Sequence, residues 1–304
     1  MKRAVALGFF DGVHLGHGAL LRRTAERAKK LGAVSAACTF DVHPAAVLTG
    51  RPTPLLSTVA ERKALIGGLY GVEETIVLPF DRAMRELPWD RFVRETLVEG
   101  LDACHLVVGE DYRFGRGGAG DTERLAGLCR ELGLGLDVVE QVRLDGTVVS
   151  SSHIRRLMAQ GDMKEAVRRL GHPQLLRGVV AHGKGLGGTL GFPTVNLTLP
   201  GELLLPAHGV YVSRIRLEDG ESYPAATNIG VRPTVDDGEA VTVESFLLDF
   251  RGDLYGRTVW LELFHRLRPE RAFESLEELR AEVAKNAQQV RTFFAEEGEK
   301  RWKS

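Results

Sequence analysis

Cysteine is scarce in this 304-residue chain: Cys38, Cys104 and Cys129, odd in number and with no Cys-x-x-Cys pair. That excludes a disulfide framework and a cysteine-built zinc ribbon, and it points to buried free thiols in a reducing cytosol. Net charge is missing too, since 40 Lys and Arg stand against 41 Asp and Glu, a formal charge of −1. No strong field therefore draws the protein to nucleic acid or to a membrane surface. No apolar run reaches membrane-spanning length, and no internal repeat is present. Lys2-Arg3 and the apolar stretch after them faintly mimic a signal peptide. The stretch is short, ends at Asp11 and has no small-residue cleavage site, so a cytoplasmic protein is expected.

What is present is enough for two ordinary domains, with 43% hydrophobic residues. From residue 1 to 171 short apolar runs alternate with helical periodicity. Ala33 to Phe40, Thr75 to Leu78, His105 to Gly109 and Leu136 to Val139 read as buried strands. Val59 to Tyr70, Trp89 to Gly100 and Thr122 to Leu132 read as helices between them. This alternation predicts an α/β, Rossmann-like domain with a parallel sheet and ligands at the carboxyl ends of its strands. Ser150 to Leu170 reads as two short helices split at Gly161-Asp162, with Asp162 as N-cap. After Gly171-His172-Pro173 strands dominate. Five of them (Gly178 to Val180, Gly209 to Leu217, Tyr223 to Ile229, Val241 to Phe250, Thr258 to Phe264) predict a small antiparallel β-barrel. A final helix carries the stripe Leu276, Leu279, Val283, Ala287, Val290 and Phe294.

The first strand runs straight into Leu7-Gly8-Phe9-Phe10-Asp11-Gly12-Val13-His14-Leu15-Gly16-His17, with a helix behind it. Phosphate chemistry suits this arrangement. Glycines let backbone approach an anion, N–H groups at a helix start attract it, and imidazoles donate to oxygens gaining charge. Three further segments fall at strand ends: Thr39-Phe40-Asp41-Val42-His43-Pro44, then Val108-Gly109-Glu110-Asp111-Tyr112-Arg113-Phe114-Gly115, then Ser150-Ser151-Ser152-His153-Ile154-Arg155. The serines either cap a helix or cradle a triphosphate, with Arg155 one turn in to grip it. Asp41 has an equally good role as the carboxylate of an Asx-turn.

In the second half five glycines fall in the nine positions 183 to 191, followed by Phe192-Pro193-Thr194-Val195-Asn196. No Ser or Thr follows the Gly-Lys pair, so this is not a Walker A loop. Proline stiffens the backbone before Thr194 and sets a hydroxyl and then the Asn196 amide beside a phosphate-sized space. On the strand Val241 to Phe250, alternation puts Glu244 on one face with Phe246, Leu248 and Phe250, a costly place for a carboxylate unless it is paired or used. No Ser/His/Asp or Cys/His constellation accompanies these groups.

The His14-x-Gly16-His17 segment resembles the HxGH signature of nucleotidyltransferases, and GFFDGVHLGH is similar to the adenylyltransferase half of bacterial FAD synthetases. Ser150 to Arg155 resembles the same family's SSTxIR motif with Ser152 in place of threonine. Val108 to Gly115 resembles VGxDFxFG, and Thr39 to Pro44 resembles TFDPHP with Val42 in place of proline. Gly191 to Asn196 resembles the riboflavin kinase signature, as do Asn228 to Thr234 and Leu247 to Gly256.

The resemblance implies an FMN adenylyltransferase domain at 1–171 and a riboflavin kinase domain at 172–304. It implies that riboflavin is phosphorylated to FMN and FMN adenylylated to FAD, with ATP as co-substrate of both steps and Mg²⁺ as cofactor. His14, His17, Ser151 and Arg155 would hold ATP phosphates, with Gly8, Phe9, Asp11, Gly16, Asp111 and Ser152 around the nucleotide. In the kinase, Gly183, Gly185 and Gly191 would approach the nucleotide, Thr194 and Asn196 would hold Mg²⁺, and Glu244 would be the base. Two departures, Gly188 for the family's usual arginine and Phe246 for its common histidine, leave two alternatives: an adenylyltransferase with a weakened or lost kinase half, or a non-catalytic flavin-binding regulator. Expected partners are small molecules alone, ATP, riboflavin and FMN, without nucleic acid or membrane. An oligomer is possible but nothing indicates one.

Overall fold

The computed structural model describes residues 1–182, 194–233 and 239–298. The chain divides into two compact units, Met1–Ser151 and Ser152–Ser304.

The first unit is a five-stranded sheet of β1 (Arg3–Leu7), β2 (Val34–Phe40), β3 (Glu74–Leu78), β4 (Ala103–Gly109) and β5 (Gly135–Val139), in spatial order β3-β2-β1-β4-β5. Every pair is parallel. Helices α1 (Leu15–Leu31), α2 (Pro44–Thr49), α3 (Val59–Tyr70), α4 (Arg82–Glu86), α5 (Trp89–Arg91) and α6 (Thr122–Leu132) lie between the strands, and a small hairpin, β6 (Arg143–Leu144) and β7 (Thr147–Val148), follows them. Ala4, Val5, Ala6 and Leu7 are buried, as a strand at the middle of a covered sheet must be. Strand order reverses at β1, so the loop after β1 opens at the switch point, where ligands of such sheets bind. The segment expected as one helix from Trp89 to Gly100 is a single turn followed by a π-helical stretch, Phe92–Gly100.

The second unit takes in α7 (Ser151–Gln160) from its second residue, Ser152, and then α8 (Met163–Leu170), split at Gly161 as expected, with Asp162 capping α8 by accepting from the Glu165 N–H. Six antiparallel strands then close a barrel: β8 (Gln174–Ala181), β9 (Thr194–Thr198), β10 (Gly209–Leu217), β11 (Ser222–Pro233), β12 (Glu239–Leu247) and β13 (Thr258–Pro269), in order β10-β11-β12-β9-β8-β13. Five strands were expected. The sixth is β9, whose Pro/Gly-rich approach hides it from a reading by apolar runs. Helix α8 packs on β13, so the residues 152–170 fold with the barrel. The closing helix, Leu276–Phe293, lays Val290 against Val210, Val212, Leu248 and Phe264 on the barrel's outer face. Its expected stripe starts too early, for Leu276 is 63% exposed.

All three cysteines are free. Cys38 and Cys129 are buried, and burial pushes their thiols up to about 12 and about 11, so neither serves as a nucleophile at neutral pH. Cys104 was expected to be buried and is only half so; its thiol donates to the Arg3 carbonyl.

Candidate active sites

After Leu7 the backbone enters a tight loop in which Phe10, Gly12 and Val13 all have positive φ, at 56°, 75° and 42°. A β-branched residue in that region is strained, and such strain persists only where surrounding contacts enforce it. Asp11 supplies them. Its buried carboxylate accepts from the Leu56 and Ser57 N–H groups at 2.9 and 3.0 Å, while the Gly12 N–H donates to Ser57 Oγ at 2.7 Å. The Ser151 hydroxyl donates to the Asp11 carbonyl at 2.9 Å. Asp11, read from the sequence as a nucleotide-site residue, thus spends its carboxylate on the loop's own anchor.

That anchor is the start of α3. Thr58 and Glu61 form a capping box there, which fixes Ser57 just before it. One residue further, the fully buried Arg62 donates through Nη1 to the Phe9 carbonyl, to Thr39 Oγ1 and to the Phe40 carbonyl. Its guanidinium lies 4.3 Å over the Phe9 ring, and its Nη2 is buried without a partner. Arg62 therefore ties the ends of β1 and β2 together and places a cation beneath the loop. Neither Ser57 nor Arg62 was singled out in the sequence. The Thr58-x-x-Glu61 spacing was the available signal.

His14 and His17 sit at the start of α1. His14 caps the helix: its Nδ1 accepts from the His17 N–H at 3.3 Å, which puts its own proton on Nε2. The two rings stack at 3.6 Å, inclined by 14°. Burial, then the neighbouring His14 and the Arg62 charge, hold the His17 imidazole well below its usual range. Its Nδ1 is buried and makes no hydrogen bond. A side chain on Gly16 would stand 3.1 Å from the His14 ring, so glycine there is what admits the stack.

Beside this loop lies a cavity of about 450 Å³, walled by Phe9, Phe40, Phe80, Phe92, Tyr112 and Phe114 at the carboxyl ends of the strands. Gly8 is part of its lining and Asp111 stands at its polar edge. Tyr112 stacks on Phe114, and burial raises its phenol well above the usual value, so it stays neutral. The size and aromatic lining suit a flat, three-ring heterocycle. Asp41, the weaker candidate, accepts from the Val42 and Phe80 N–H groups, so its carboxylate ties the end of β2 to the segment after β3 rather than closing the Asx-turn that was expected. Of the serine motif, Ser151 joins the loop through Asp11, while Ser152 and Arg155 lie in the first two turns of α7, in the second unit.

In the barrel, Thr194 and Asn196 project from one face of β9, and Asn196 stands directly opposite Glu244 of β12. The Thr194 hydroxyl donates to Glu244 Oε1 at 2.6 Å. A hydroxyl that points its proton at a carboxylate turns its lone pairs elsewhere, as an oxygen ligand of a hard cation must. Gly183, Gly185, Gly191 and the departing Gly188 lie outside the described residues.

A family model described as FAD synthetase matches residues 1–153, and one described as riboflavin kinase matches 170–294. The chain belongs to the bifunctional riboflavin kinase/FMN adenylyltransferases. It is 38% identical over 289 residues to the member from Pseudomonas fluorescens, covering 95% of this chain and 92% of that one. The member from Listeria monocytogenes is 35% identical, at 97% and 93% coverage, and that from Escherichia coli K12 is 34% identical, at 95% and 92%. A Streptococcus pneumoniae crystal structure described as a macrolide-efflux protein superposes with a TM-score of 0.84 at 31% identity, over 95% of this chain and 94% of that one. Among the described residues of this family member, no helix is long and apolar enough to cross a membrane.

Proposed function

We propose a residue-level division of labour for the two activities of this bifunctional enzyme, riboflavin kinase and FMN adenylyltransferase. The chain makes FMN from riboflavin and FAD from FMN, with ATP in both steps. The first unit carries adenylyl transfer and the barrel carries phosphorylation.

For adenylyl transfer, FMN places its ring in the aromatic cavity and one phosphate oxygen attacks the α-phosphorus of ATP. A new P–O bond forms as the bond to pyrophosphate breaks. Two anions must meet, so alignment and charge neutralisation supply most of the rate. His14 offers its Nε2–H to a phosphate oxygen because its Nδ1 is already engaged. His17, held neutral by burial, offers a second donor without the cost of an imidazolium pair. Gly8, Phe9, Gly16 and Ser151 shape the approach, and Asp111 meets the nucleotide or flavin. The single observation that carries this reading is the stacked histidine pair, capping a helix at the sheet's switch point beside a flavin-sized aromatic cavity.

For the kinase, Glu244 accepts the proton of the riboflavin 5′-hydroxyl as that oxygen attacks the γ-phosphorus and ADP leaves. Thr194 and Asn196 are the residues to hold Mg²⁺. Among the described residues no three His, Cys, Asp or Glu side chains gather to hold a metal. The ion would then complete its shell with phosphate oxygens and water, its usual habit. When bound it neutralises phosphate charge. Three free thiols support a cytoplasmic setting.

The test is to incubate the purified chain with ATP, Mg²⁺ and either riboflavin or FMN and to separate the flavins. FAD from both substrates supports the reading. FAD from FMN alone means a lost kinase, and no turnover of either means a binding protein.

A further inference from the structure

The barrel pairs its internal polar groups closely. On its inner face Ser213, Thr227 and Ser245 form a fully buried hydroxyl ladder at 2.7 and 2.8 Å across three strands, and Ser213 also donates to the Ala225 carbonyl. The face that carries Glu244 is different. Asn228 of β11 stands directly opposite Glu244, so Asn196, Glu244 and Asn228 form one row across β9, β12 and β11. Opposed residues on neighbouring strands share a face at about 5 Å per strand. Among the described residues the half-buried Asn228 side chain makes no hydrogen bond, so its amide is open to a ligand. The next position in the row, on β10, is the buried Val210. Val210 thus separates Asn228 from Arg268, the next residue of the row on β13.

The row has a direction. Thr194 and Asn196, proposed above to hold Mg²⁺ and so to mark the phosphate side, flank Glu244 from β9. In phosphoryl transfer the attacking and leaving oxygens lie roughly in line on opposite sides of phosphorus. An alcohol that gives its proton to Glu244 must then arrive from the other flank, where Asn228 stands. A carboxamide both accepts and donates, so it can hold two neighbouring hydroxyls of a polyol chain at once.

We propose that Asn228 is a positioning residue of the kinase site, binding the ribityl end of riboflavin so that its terminal hydroxyl faces Glu244. This rests on the reading of Glu244 as the base. Nothing in the sequence marked Asn228 beyond its place in the motif Asn228 to Thr234.

The experiment is steady-state kinase kinetics on the full chain for Asn228→Ala and Asn228→Ser, with riboflavin and ATP varied separately. FAD formation from supplied FMN serves as the folding control, and Glu244→Gln is run in parallel. Asn228→Ala is expected to lower kcat/KM for riboflavin on the order of tenfold, the worth of a lost hydrogen bond to a desolvated hydroxyl. KM for ATP should stay within about twofold, and adenylylation should be unchanged. Asn228→Ser, which keeps a hydroxyl, should recover part of the loss. The proposal is overturned if Asn228→Ala leaves kcat/KM for riboflavin within twofold, or if the KM values for riboflavin and ATP rise together. Should Asn228→Ala not fold, the substrate split of Asn228→Ser decides by the same criteria. A kinase-dead Glu244→Gln beside a normal Asn228→Ala rejects this proposal alone; an active Glu244→Gln rejects the base itself.

Discussion

A stacked imidazole pair 3.6 Å apart resists double protonation, and burial adds to that resistance at His17. The consequence for stability has a definite sign. The folded-state value of His17 lies well below the 6.5 of the exposed group, so the unfolded chain binds a proton that the folded chain refuses. Stability contributed by the neutral ring is complete above about pH 6.5 and is lost as pH falls below it. Thermal melts at pH 7 and pH 5 should therefore show a smaller fall in Tm for His17→Gln than for the wild type; an equal or larger fall contradicts the burial argument. Asp11 makes a second case. Its replacement by Ala would leave the Leu56 and Ser57 N–H groups buried and unpaired, at a cost of about 1–3 kcal/mol, and would release the strained turn that aims His14. Denaturant unfolding and the FMN adenylylation rate should both register the change, while the kinase rate should not.

At the scale of elements, much was legible because it rests on periodicity. Buried strands of the parallel sheet, α3, α6 and the split between α7 and α8 all announce themselves by apolar runs, Gly ends and an Asp cap. The elements that escaped do not obey one period. β9 carries Thr194, Val195 and Asn196, a strand whose pairing with β12 and β8 is set by tertiary contacts rather than by its own pattern. The π-helical stretch Phe92–Gly100 has the apolar spacing of an ordinary helix. The proposed site residues carried by motifs, His14, His17, Thr194 and Glu244, could be named one by one from the sequence. Ser57, Arg62 and Asn228 were not, because their importance lies in what stands opposite them in space. The start of α3 tests this level directly. Thr58→Ala breaks the capping box and should cost about 0.5–2 kcal/mol. It should also slow adenylylation, since Ser57 and Arg62 anchor the loop that carries His14 from this helix start. A stability loss with an unchanged rate would mean that the loop holds itself.

For the whole molecule, each unit has its own sheet. The two family models meet this division, one matching residues 1–153 and the other 170–294. Helix α8 packs on β13, so a barrel fragment that begins at residue 172 should melt below one that begins at residue 152, an ordering that differential scanning fluorimetry can check. The central claim, two chemistries on two separate residue sets, is tested by separating the flavins formed from riboflavin, and from FMN, by the full-length wild type, His17→Ala and Glu244→Gln with ATP and Mg²⁺. Loss of one charge-stabilising donor costs about 100- to 1,000-fold, and loss of a general base roughly 100- to 10,000-fold. The account predicts that His17→Ala stops at FMN from riboflavin and makes almost no FAD from FMN. It predicts that Glu244→Gln converts FMN to FAD at the wild-type rate yet leaves riboflavin unphosphorylated. If either variant loses both activities while folded, or keeps the one assigned to its residue, the division of labour is wrong.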